Sequence, residues 1–247
     1  MTRNLDIDNN IAIRFRDVCK EYTLYKSDQE RFISLFYKRK SLKKHQALKN
    51  VSFDIRRGEA IGVIGRNGAG KSTLLKIVTG VTFPTSGEVE VNGTVAALLE
   101  LTAGFSPEMT GRENIYLKGY ILGYSKTEMQ QMEDEIIEFA ELGEYIDQPL
   151  RTYSSGMRMR LGFAINVNSN PQVLVVDEAL SVGDAKFRKK CSEKIKDLAA
   201  TGVTVLFVSH SMNSIKELCS RVLLIKKGEL VFDGDVEEAI EKYSEKK

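Results

Sequence analysis

The order of apolar and polar positions divides the first part of the chain into short strands. Residues 11–25 alternate between the two types, with Ile11, Ile13 and Phe15 as the apolar members, which predicts a strand with one buried face. Two apolar runs, VSFDI and AIGVIG, follow from Val51, and the Arg-Gly pair between them is a turn signal. The pattern therefore predicts three strands in this region.

The remainder of the chain alternates helix-like and strand-like stretches. A helix is expected from about Ala69 to near Gly80, and residues 88–99 indicate a further short pair of strands. Residues 108–168 repeat apolar side chains at helical spacing, and VLVVDE and TVLFVS are then each expected to form a strand followed by a helix. Such alternation predicts an α/β fold with a mostly parallel sheet that is covered on both faces.

The same pattern predicts how the domain is organised. Residues 1–247 are expected to form a single domain, with an α-helical subdomain inserted at about residues 101–168. Residues 27–46 are basic and carry aromatic side chains among the charges. We expect this segment to be an amphipathic insertion ahead of the strand at Val51.

Composition narrows the classes of partner and compartment. The 36 basic and 34 acidic residues give a formal net charge of +2, which is too balanced to predict a nucleic-acid partner. No apolar run reaches the ~20 residues that a membrane-spanning helix needs, and the opening MTRNLDIDNN lacks the pattern of a secretory signal. Cys19, Cys191 and Cys219 have no metal-type spacing and are expected to be reduced thiols of a cytosolic protein.

A phosphate-binding motif follows the second apolar run. The stretch GRNGAGKS at residues 65–72 fits G-x-x-x-x-G-K-[ST] and lies between a buried strand and a helix. Its glycines let backbone N–H groups face a triphosphate, Lys71 reaches the β- and γ-phosphates, and the Ser72 hydroxyl binds Mg²⁺. The alternative is a glycine-rich turn with an incidental lysine, which the strand–loop–helix context disfavours. The expected nucleotide-binding residues here are Gly65, Asn67, Gly68, Ala69, Gly70, Lys71, Ser72 and Thr73.

Two carboxylates end the apolar strand VLVVDE. A buried strand that ends in two charges needs a partner for each charge, because burying an unpaired charge is costly. Asp177 is expected to hold Mg²⁺, and Glu178 to orient and polarise the attacking water. Taken alone, the pair could also be a strand end that meets solvent.

Further motifs follow in an order that resembles the ABC ATPase family over nearly the whole chain. The stretch YSSGM at residues 153–157 stands where the family has its signature, and SVGD at residues 181–184 stands where it has its D-loop. The resemblance implies a P-loop NTPase fold with an N-terminal antiparallel β subdomain, and ATP and Mg²⁺ as cofactors. It adds Tyr22 as the residue that stacks on adenine, and Ser154, Ser155 and Gly156 as the residues that bind the ATP of a partner subunit. It also adds Asp184 as the D-loop residue and His210 as a catalytic residue that acts together with Glu178.

Two departures from the family pattern point to one branch. The first departure is in the signature, where Ser155 replaces the usual glycine and Met157 replaces the usual glutamine. The second is in the Q-loop, whose glutamine is missing, and Glu100 is the residue nearest to its position. Glu100 is therefore the candidate for a contact with Mg²⁺ there. Both departures resemble the branch that exports lipid-linked cell-surface polysaccharides. Within it, KEYTLYKSDQERF and ELGEYIDQPL resemble wall teichoic acid exporter ATPases, with O-antigen and capsule exporter ATPases as close relatives.

The resemblance also implies the partners. Two cassettes meet head to tail in this family, so a second copy of the chain is expected to complete each ATP site. Integral membrane permease subunits, through which a lipid-linked anionic glycopolymer passes, are expected to hold the chain at the cytoplasmic face of the cell membrane. Because the sequence ends at Lys247, it is expected not to carry the glycan-binding domain of some relatives.

Two segments are expected to face these partners. The family receives a short permease helix near residues 100–105, where Phe105 is expected to be exposed, although a core position for Phe105 remains the alternative. At residues 28–44, Phe32, Leu35 and Phe36 share one face of a predicted helix whose other face is basic, which suits the permease and the anionic leaflet. Packing of this helix on its own cassette is the alternative.

Two other classes of protein share some of these motifs. A soluble ABC protein, such as a translation factor or a DNA-repair ATPase, would carry two cassettes or a long coiled-coil insert, and neither pattern is present. A P-loop ATPase of another kind would lack the signature stretch. Taken singly, Tyr22 would be an edge-strand tyrosine and His210 a structural residue at a strand end, but the ordered set of motifs favours the roles given above.

Overall fold

Strands and helices alternate along most of the chain, as the hydrophobic pattern predicts. The computed structural model of the protein describes residues 10–25, 27, 29, 32, 43–99, 101–177, 184–209 and 211–244. The strands are β1 (Ile11–Leu24), β2 (Lys43–Arg56), β3 (Ala60–Ile64), β4 (Ser86–Val91), β5 (Val95–Ala97), β6 (Val173–Asp177), β7 (Thr204–Val208), β8 (Arg221–Lys226) and β9 (Glu229–Gly234). The α-helices are α1 (Lys71–Val78), α2 (Gly111–Ile121), α3 (Lys126–Ala140), α4 (Ser155–Asn168), α5 (Ala185–Ala200), α6 (Met212–Leu218) and α7 (Val236–Ser244).

Three strands form a small antiparallel sheet in the order β2-β1-β4. The alternating apolar side chains Ile13 and Phe15 of β1 are fully buried. Phe15 also stacks on Phe53 of β2, with 4.6 Å between the ring centroids. The sheet shares its core with α1 and with strands of the main sheet. The antiparallel subdomain that the family resemblance implies is therefore present.

Six strands form the main sheet in the order β5-β6-β7-β3-β8-β9. The neighbours from β5 to β8 are parallel, and the edge strand β9 is antiparallel to β8. Ile61 and Val63 of β3 and Val173 and Val175 of β6 are fully buried, which is typical of parallel strands that lie between two layers of helices. The expected fold class is confirmed.

One expectation about strand pairing is wrong. β4 and β5, expected as a pair over residues 88–99, lie in different sheets, because β4 pairs with β1 and β5 pairs with β6. The sequence between them is short, but each strand finds its partner far away along the chain. β8, β9 and α7 are additional elements that the hydrophobic pattern did not predict.

The inserted helical subdomain contains α2, α3 and α4. α2 and α3 each begin with a capping box, formed by Thr110 with Glu113 and by Ser125 with Glu128. Two short 3-10 helices, Gly143–Asp147 and Leu150–Thr152, join α3 to α4. The subdomain has a core of its own, which includes Ile115, Met129, Ile136, Leu142, Ile146, Leu161 and Ile165. These elements fall within residues 108–168, where the helical pattern placed them.

The basic segment expected at residues 27–46 ends earlier than predicted. Lys43 and Lys44 already belong to β2, where they pair with the end of β1. Phe32 is 63% exposed. Residues 33–42, with most of the predicted apolar face and cations, lie outside the described residues. The amphipathic helix therefore stays a prediction for the part of the segment before β2.

The described helices and cysteines give two further observations. None of the described helices combines the length and the apolarity that crossing a bilayer requires. Cys19, Cys191 and Cys219 are free thiols. Burial raises the pKa of Cys191 and of Cys219 to about 12, so both remain protonated at neutral pH.

Candidate nucleotide site

The P-loop connects β3, in the interior of the main sheet, to α1, and its path requires glycine at two positions. A Cβ on Gly65 would lie 2.3 Å from the carbonyl oxygen of Ile225 in β8. A Cβ on Gly70, whose φ is 113°, would lie 2.5 Å from the carbonyl oxygen of Ala47 in β2. The loop is therefore held closely between β8 and β2, and the backbone of β2 touches it directly.

The Lys71 ammonium and the first N–H groups of α1 lie together where the P-loop enters this helix. Lys71, the first residue of α1, is buried, and its Nζ donates to the carbonyl oxygens of Gly65 at 2.6 Å and Arg66 at 3.2 Å. The N-cap of α1 is Gly70, which has no side chain to cover the first N–H groups. An ammonium group beside a helix N-terminus favours the binding of an anion.

One cavity of about 430 Å³ brings many of the predicted site residues together. Residues 67–73 of the P-loop and α1 line it, together with Tyr22 of β1 and Asp177 at the end of β6. Gly65 is absent from this lining and borders a second cleft of about 640 Å³ between the P-loop and residues of β8 and α7. The residues predicted to contact adenine, phosphate and metal thus surround a common space.

Ser72 and Asp177 are the predicted Mg²⁺ ligands that the structure describes. Asp177 pairs with Val208 at the end of β7, and Val208 pairs with Val63 near the end of β3. Asp177 therefore stands at the edge of the sheet where the P-loop leaves β3. A hydroxyl and a carboxylate on one cavity supply the oxygen donors that Mg²⁺ prefers, so the residues fit the ion.

Three further predicted residues cannot be placed in this geometry. Glu100, Glu178 and His210 lie outside the described residues. Glu178 follows Asp177 directly in the chain, and His210 comes two residues after the end of β7. Their proposed roles in metal binding and catalysis remain predictions.

The signature residues Ser154, Ser155 and Gly156 lie at the start of α4. Ser154 is the N-cap of this helix, and its Oγ accepts a hydrogen bond from the Met157 N–H at 3.1 Å. Ser154 and Ser155 are exposed. Among the described residues, none of the three lines the P-loop cavity. An exposed helix N-terminus of this kind is available to an anion held by another chain.

Asp184, predicted in the D-loop, is the N-cap of α5. Its carboxylate accepts hydrogen bonds from the Phe187 N–H at 2.9 Å and from the guanidinium of Arg160 in α4 at 2.7 Å. The hydrogen bond from Phe187 is the main cause that lowers the pKa of Asp184. Asp184 thus joins α5 to the signature helix, and its D-loop role stays a prediction.

A groove of about 360 Å³ lies beside the first turns of α4, and Phe105, Ser155 and Met159 are among its lining residues. Phe105 is half-buried, so the expectation of an exposed ring is wrong. The ring packs against the core of the helical subdomain and also lines the groove. It therefore combines the two roles that the sequence left as alternatives.

Asn114 of α2 fixes the loop that carries Phe105. The side chain of Asn114 is fully buried. Its Oδ1 accepts from the Ser106 N–H at 2.8 Å, and its Nδ2 donates to the carbonyl oxygens of Ser106 at 3.0 Å and Thr110 at 2.8 Å. The residues TGREN at positions 110–114 therefore have a structural role, because Thr110 caps α2 and Asn114 holds the preceding loop.

The same loop is held from two further sides. Lys118 of α2 donates to the Ala103 carbonyl oxygen at 2.8 Å. From α4, a Cβ on Gly162 would lie only 2.3 Å from the Leu101 carbonyl oxygen. Residues 101–106 are consequently fixed between α2 and the signature helix, with direct backbone contact at Gly162.

Two residues near Tyr22 were not predicted. His45 of β2 lies opposite Tyr22 in the antiparallel ladder and lines the same cavity. Lys20 places its ammonium 5.2 Å from the centroid of the Tyr22 ring and donates to the Phe83 carbonyl oxygen at 2.6 Å. Neither residue belongs to one of the nucleotide-site motifs identified in the sequence. Lys20 and Tyr22 are two residues apart on a strand and therefore share a face, so the sequence could have shown that they are neighbours. The position of His45 beside Tyr22 can be found only from the register of β1 and β2.

The fold and the site together define a class of protein. A buried parallel strand leads through a glycine-rich loop into a helix N-terminus, and a carboxylate at a strand end of the same sheet lines the same cavity. This arrangement is that of a P-loop nucleotide-binding protein. The chain belongs to the ABC transporter family, whose model matches residues 48–181.

Individual relatives extend this assignment. The chain is 43% identical to the teichoic acids export ATP-binding protein TagH of Bacillus anthracis, over 96% of this chain and 43% of that protein. It is 46% identical to the O-antigen export system ATP-binding protein RfbB of Klebsiella pneumoniae, over 95% of this chain and 98% of that protein. The chain thus spans less than half of the Bacillus relative and nearly all of the Klebsiella relative.

A solved structure agrees in fold. A dimeric ATP-binding cassette, in a post-hydrolysis state bound to ADP and Pi, matches with a TM-score of 0.71 at 24% identity. The match covers 91% of this chain and 98% of that one. At this identity the likeness supports the fold assignment alone.

Proposed function

We propose that the chain is the ATP-binding, ATP-hydrolysing subunit of an ABC exporter that moves a lipid-linked cell-surface polysaccharide, teichoic acid, across the cytoplasmic membrane. The observation that carries the proposal is the single cavity shared by Tyr22, Lys71, Ser72 and Asp177. The class of cargo rests on the relatives, because those at 43% and 46% identity are named as export ATP-binding proteins.

An O-antigen or capsule exporter is the second candidate. The Klebsiella relative supports it, because that O-antigen export protein matches along 98% of its own length. The two candidates share the ATP chemistry and differ in the polymer that the permease carries. The nature of the exported glycan therefore separates them.

Different residues are proposed to bind the base, the phosphates and the Mg²⁺ ion of the nucleotide. Tyr22 presents an aromatic ring to the base, while the N–H groups of the P-loop and the Lys71 ammonium hold the phosphates. Ser72 and Asp177 hold Mg²⁺, which when bound neutralises charge on the phosphates. The close contacts of the P-loop with β8 and β2 keep these donors in place before ATP arrives.

Hydrolysis requires a water that is oriented toward the γ-phosphate. Glu178 follows Asp177 at the end of β6, and a carboxylate at this position polarises the water by accepting its proton. His210 follows the end of the neighbouring strand β7 and is proposed to contact the γ-phosphate side of the same site. In the chain, Glu178 and His210 thus follow, by one and two positions, the ends of two strands that are neighbours in the sheet.

The proposed exporter is an assembly at the cytoplasmic face of the membrane. A second copy of the chain supplies Ser154, Ser155 and Gly156 to each ATP, which the exposure of Ser154 and Ser155 at the start of α4 supports. Permease subunits bind the groove beside Phe105 and carry the lipid-linked anionic glycopolymer. The near-neutral charge of the chain gives no support to a nucleic-acid partner.

Export in cells tests this proposal. Depletion of the chain in its host is expected to reduce the surface polymer and to leave lipid-linked polymer on the inner side of the membrane. Chemical analysis of the retained glycan then identifies teichoic acid, or O-antigen or capsule, as the cargo. An unchanged amount of surface polymer after depletion would contradict a role in export.

Replacing Phe105 by Asp is expected to abolish export while leaving ATP hydrolysis by the purified subunit within about twofold of wild type. The reason is that Phe105 lines the groove proposed for the permease helix, and aromatic residues often anchor such interfaces. Export is measured in reconstituted vesicles, and hydrolysis on the isolated subunit.

Because Phe105 also contacts the subdomain core, two companion variants separate docking from folding. Phe105→Leu keeps an apolar contact and is expected to fold and to export. Thr102→Arg places a bulky cation in the same groove from an exposed position and is expected to block export without unfolding. Normal export by Thr102→Arg, together with an unfolded Phe105→Asp subunit, would assign Phe105 to the core alone.

The basic segment at residues 28–44, whose last two lysines begin β2, is proposed to face the permease and the anionic leaflet. Replacing Lys38, Arg39, Lys40 and Lys43 by Gln is expected to lower export severalfold, because each cation near an anionic surface contributes ~1 kcal/mol of attraction. ATP hydrolysis by the isolated subunit is expected to stay unchanged. A matched variant replaces four exposed lysines elsewhere, namely Lys126, Lys186, Lys189 and Lys196. Equal export by the two variants would rule out a specific role for the basic segment.

A further inference from the structure

Tyr22 has a ring neighbour on the adjacent strand. In the antiparallel pair of β1 and β2, Tyr22 lies directly opposite His45. The Cβ atoms of residues paired in this way are about 4.5–5.5 Å apart. Both residues line the cavity that also contains Lys71 and Ser72. The cavity therefore has two adjoining rings on neighbouring strands.

The β2 strand fixes where His45 stands relative to the phosphate-binding loop. Between the pairs of Leu48 and Gln46, the ladder advances by two residues on β2 and by one on β1, so Ala47 is the extra residue of a β-bulge. The backbone of Ala47 is the part of β2 that touches the P-loop at Gly70. His45 lies two residues beyond this contact, or about 7 Å along a strand. His45 and the strand residue that touches the P-loop therefore belong to one short run of β2, and both line the cavity.

The His45 side chain is available to a ligand. It is exposed, and within the described part of the chain its imidazole makes no hydrogen bond to another residue. Its neighbours are engaged, because Lys44 pairs with Glu21 at 2.9 Å and Lys20 lies 5.2 Å from the Tyr22 ring. Within the described residues, the His45 imidazole is therefore a ring next to Tyr22 that can contact a ligand without breaking a hydrogen bond.

We propose that His45 is a second base-contacting residue, and that Tyr22 and His45 together form the surface on which a purine base packs. This inference rests on the proposed function, because it assigns the base to the cavity that Tyr22 shares with the P-loop. The two fused rings of a purine span two adjoining side chains, whereas a single pyrimidine ring covers one. His45 thereby contributes to selection of purine over pyrimidine nucleotides.

Titration of the purified chain with three ligands tests the inference. His45→Ala is expected to raise the Kd for Mg-ATP roughly five- to tenfold, since each base contact with an aromatic ring contributes substantially to affinity. The Kd values for Mg-CTP and for inorganic triphosphate are expected to stay within twofold of wild type. His45→Phe, which keeps a ring at this position, is expected to bind ATP nearly as tightly as wild type.

A control variant and the melting temperature separate base contact from folding. Gln46→Ala changes the next exposed residue of β2 and is expected to leave all three Kd values unchanged. The melting temperature of His45→Ala without ligand should equal that of wild type. An ATP affinity of His45→Ala within twofold of wild type, or an equal loss for inorganic triphosphate, would overturn the inference. Wild-type protein that binds neither ATP nor triphosphate would overturn the proposed function as well.

Discussion

Lys71→Ala is expected to weaken the binding of Mg-ATP to the purified chain roughly 10- to 100-fold. A hydrogen bond to a charged group contributes about 1.5–3 kcal/mol, and about 1.4 kcal/mol corresponds to a factor of ten in Kd. The Lys71 ammonium is already held by the carbonyl oxygens of Gly65 and Arg66, so little side-chain freedom is lost when phosphate binds. Titration calorimetry measures the effect directly.

The matched control is Lys76→Ala on the same helix. Lys76 is exposed one and a half turns further along α1. Its removal changes the net charge of the chain by the same amount but is expected to leave ATP binding unchanged. Similar affinities for the two variants would show that Lys71 acts only through the overall charge, and would contradict its role in the phosphate site.

Glu178→Gln is expected to lower the turnover of ATP by about 10²- to 10⁴-fold, the usual contribution of a general base. The substitution keeps the shape of the side chain but removes the group that accepts the proton of water. Mg-ATP binding is expected to remain within about twofold, because Lys71, Ser72 and Asp177 are unchanged. The variant should therefore accumulate as an ATP-bound dimer, which size-exclusion chromatography with nucleotide detects.

An isosteric control makes the hydrolysis experiment specific. Glu144→Gln removes the same charge at an exposed position of the helical subdomain and is expected to hydrolyse ATP at the wild-type rate. Turnover of Glu178→Gln within a factor of two of wild type would remove Glu178 from the catalytic site. Loss of ATP binding by Glu178→Gln would instead place this carboxylate among the binding residues.

The P-loop is the part of the site that a short stretch of sequence is enough to locate. Its glycines, Lys71 and Ser72 are consecutive, and the strand and helix around them follow from local hydrophobic patterns. The structure places residues 67–73 on one cavity, as the motif requires. Asp177 was also predictable as a neighbour, because the ends of parallel strands meet at the same edge of a sheet.

The antiparallel sheet was harder to predict because its pairing joins distant segments. β4 and β5 were expected to pair with each other, yet their partners are β1 and β6. His45 escaped prediction for the same reason. Its position beside Tyr22 depends on the register of β1 and β2 and on the bulge at Ala47, and neither is encoded in a local pattern.

Phe105 shows how tertiary contacts decide burial. The sequence around it contains no regular period, so exposure and burial were both open. Hydrogen bonds from the buried Asn114 hold the loop against α2, and this folds the ring onto the core of the helical subdomain. These non-local contacts therefore explain why the Phe105 ring touches the core on one side and lines the groove on the other.

The backbone contact between Gly162 and Leu101 has a mechanical consequence. No side chain lies between α4 and the loop at this point, so the two backbones have almost no room to approach each other. If a permease helix pushes this loop in the proposed exporter, α4 would therefore have to move together with the loop. Ser154, at the N-terminal tip of α4, would then move relative to the nucleotide that the proposed second copy of the chain holds. The backbone contact would thus pass a movement of the proposed membrane subunit on to the proposed ATP interface, with little of it taken up by side-chain rearrangement in the groove.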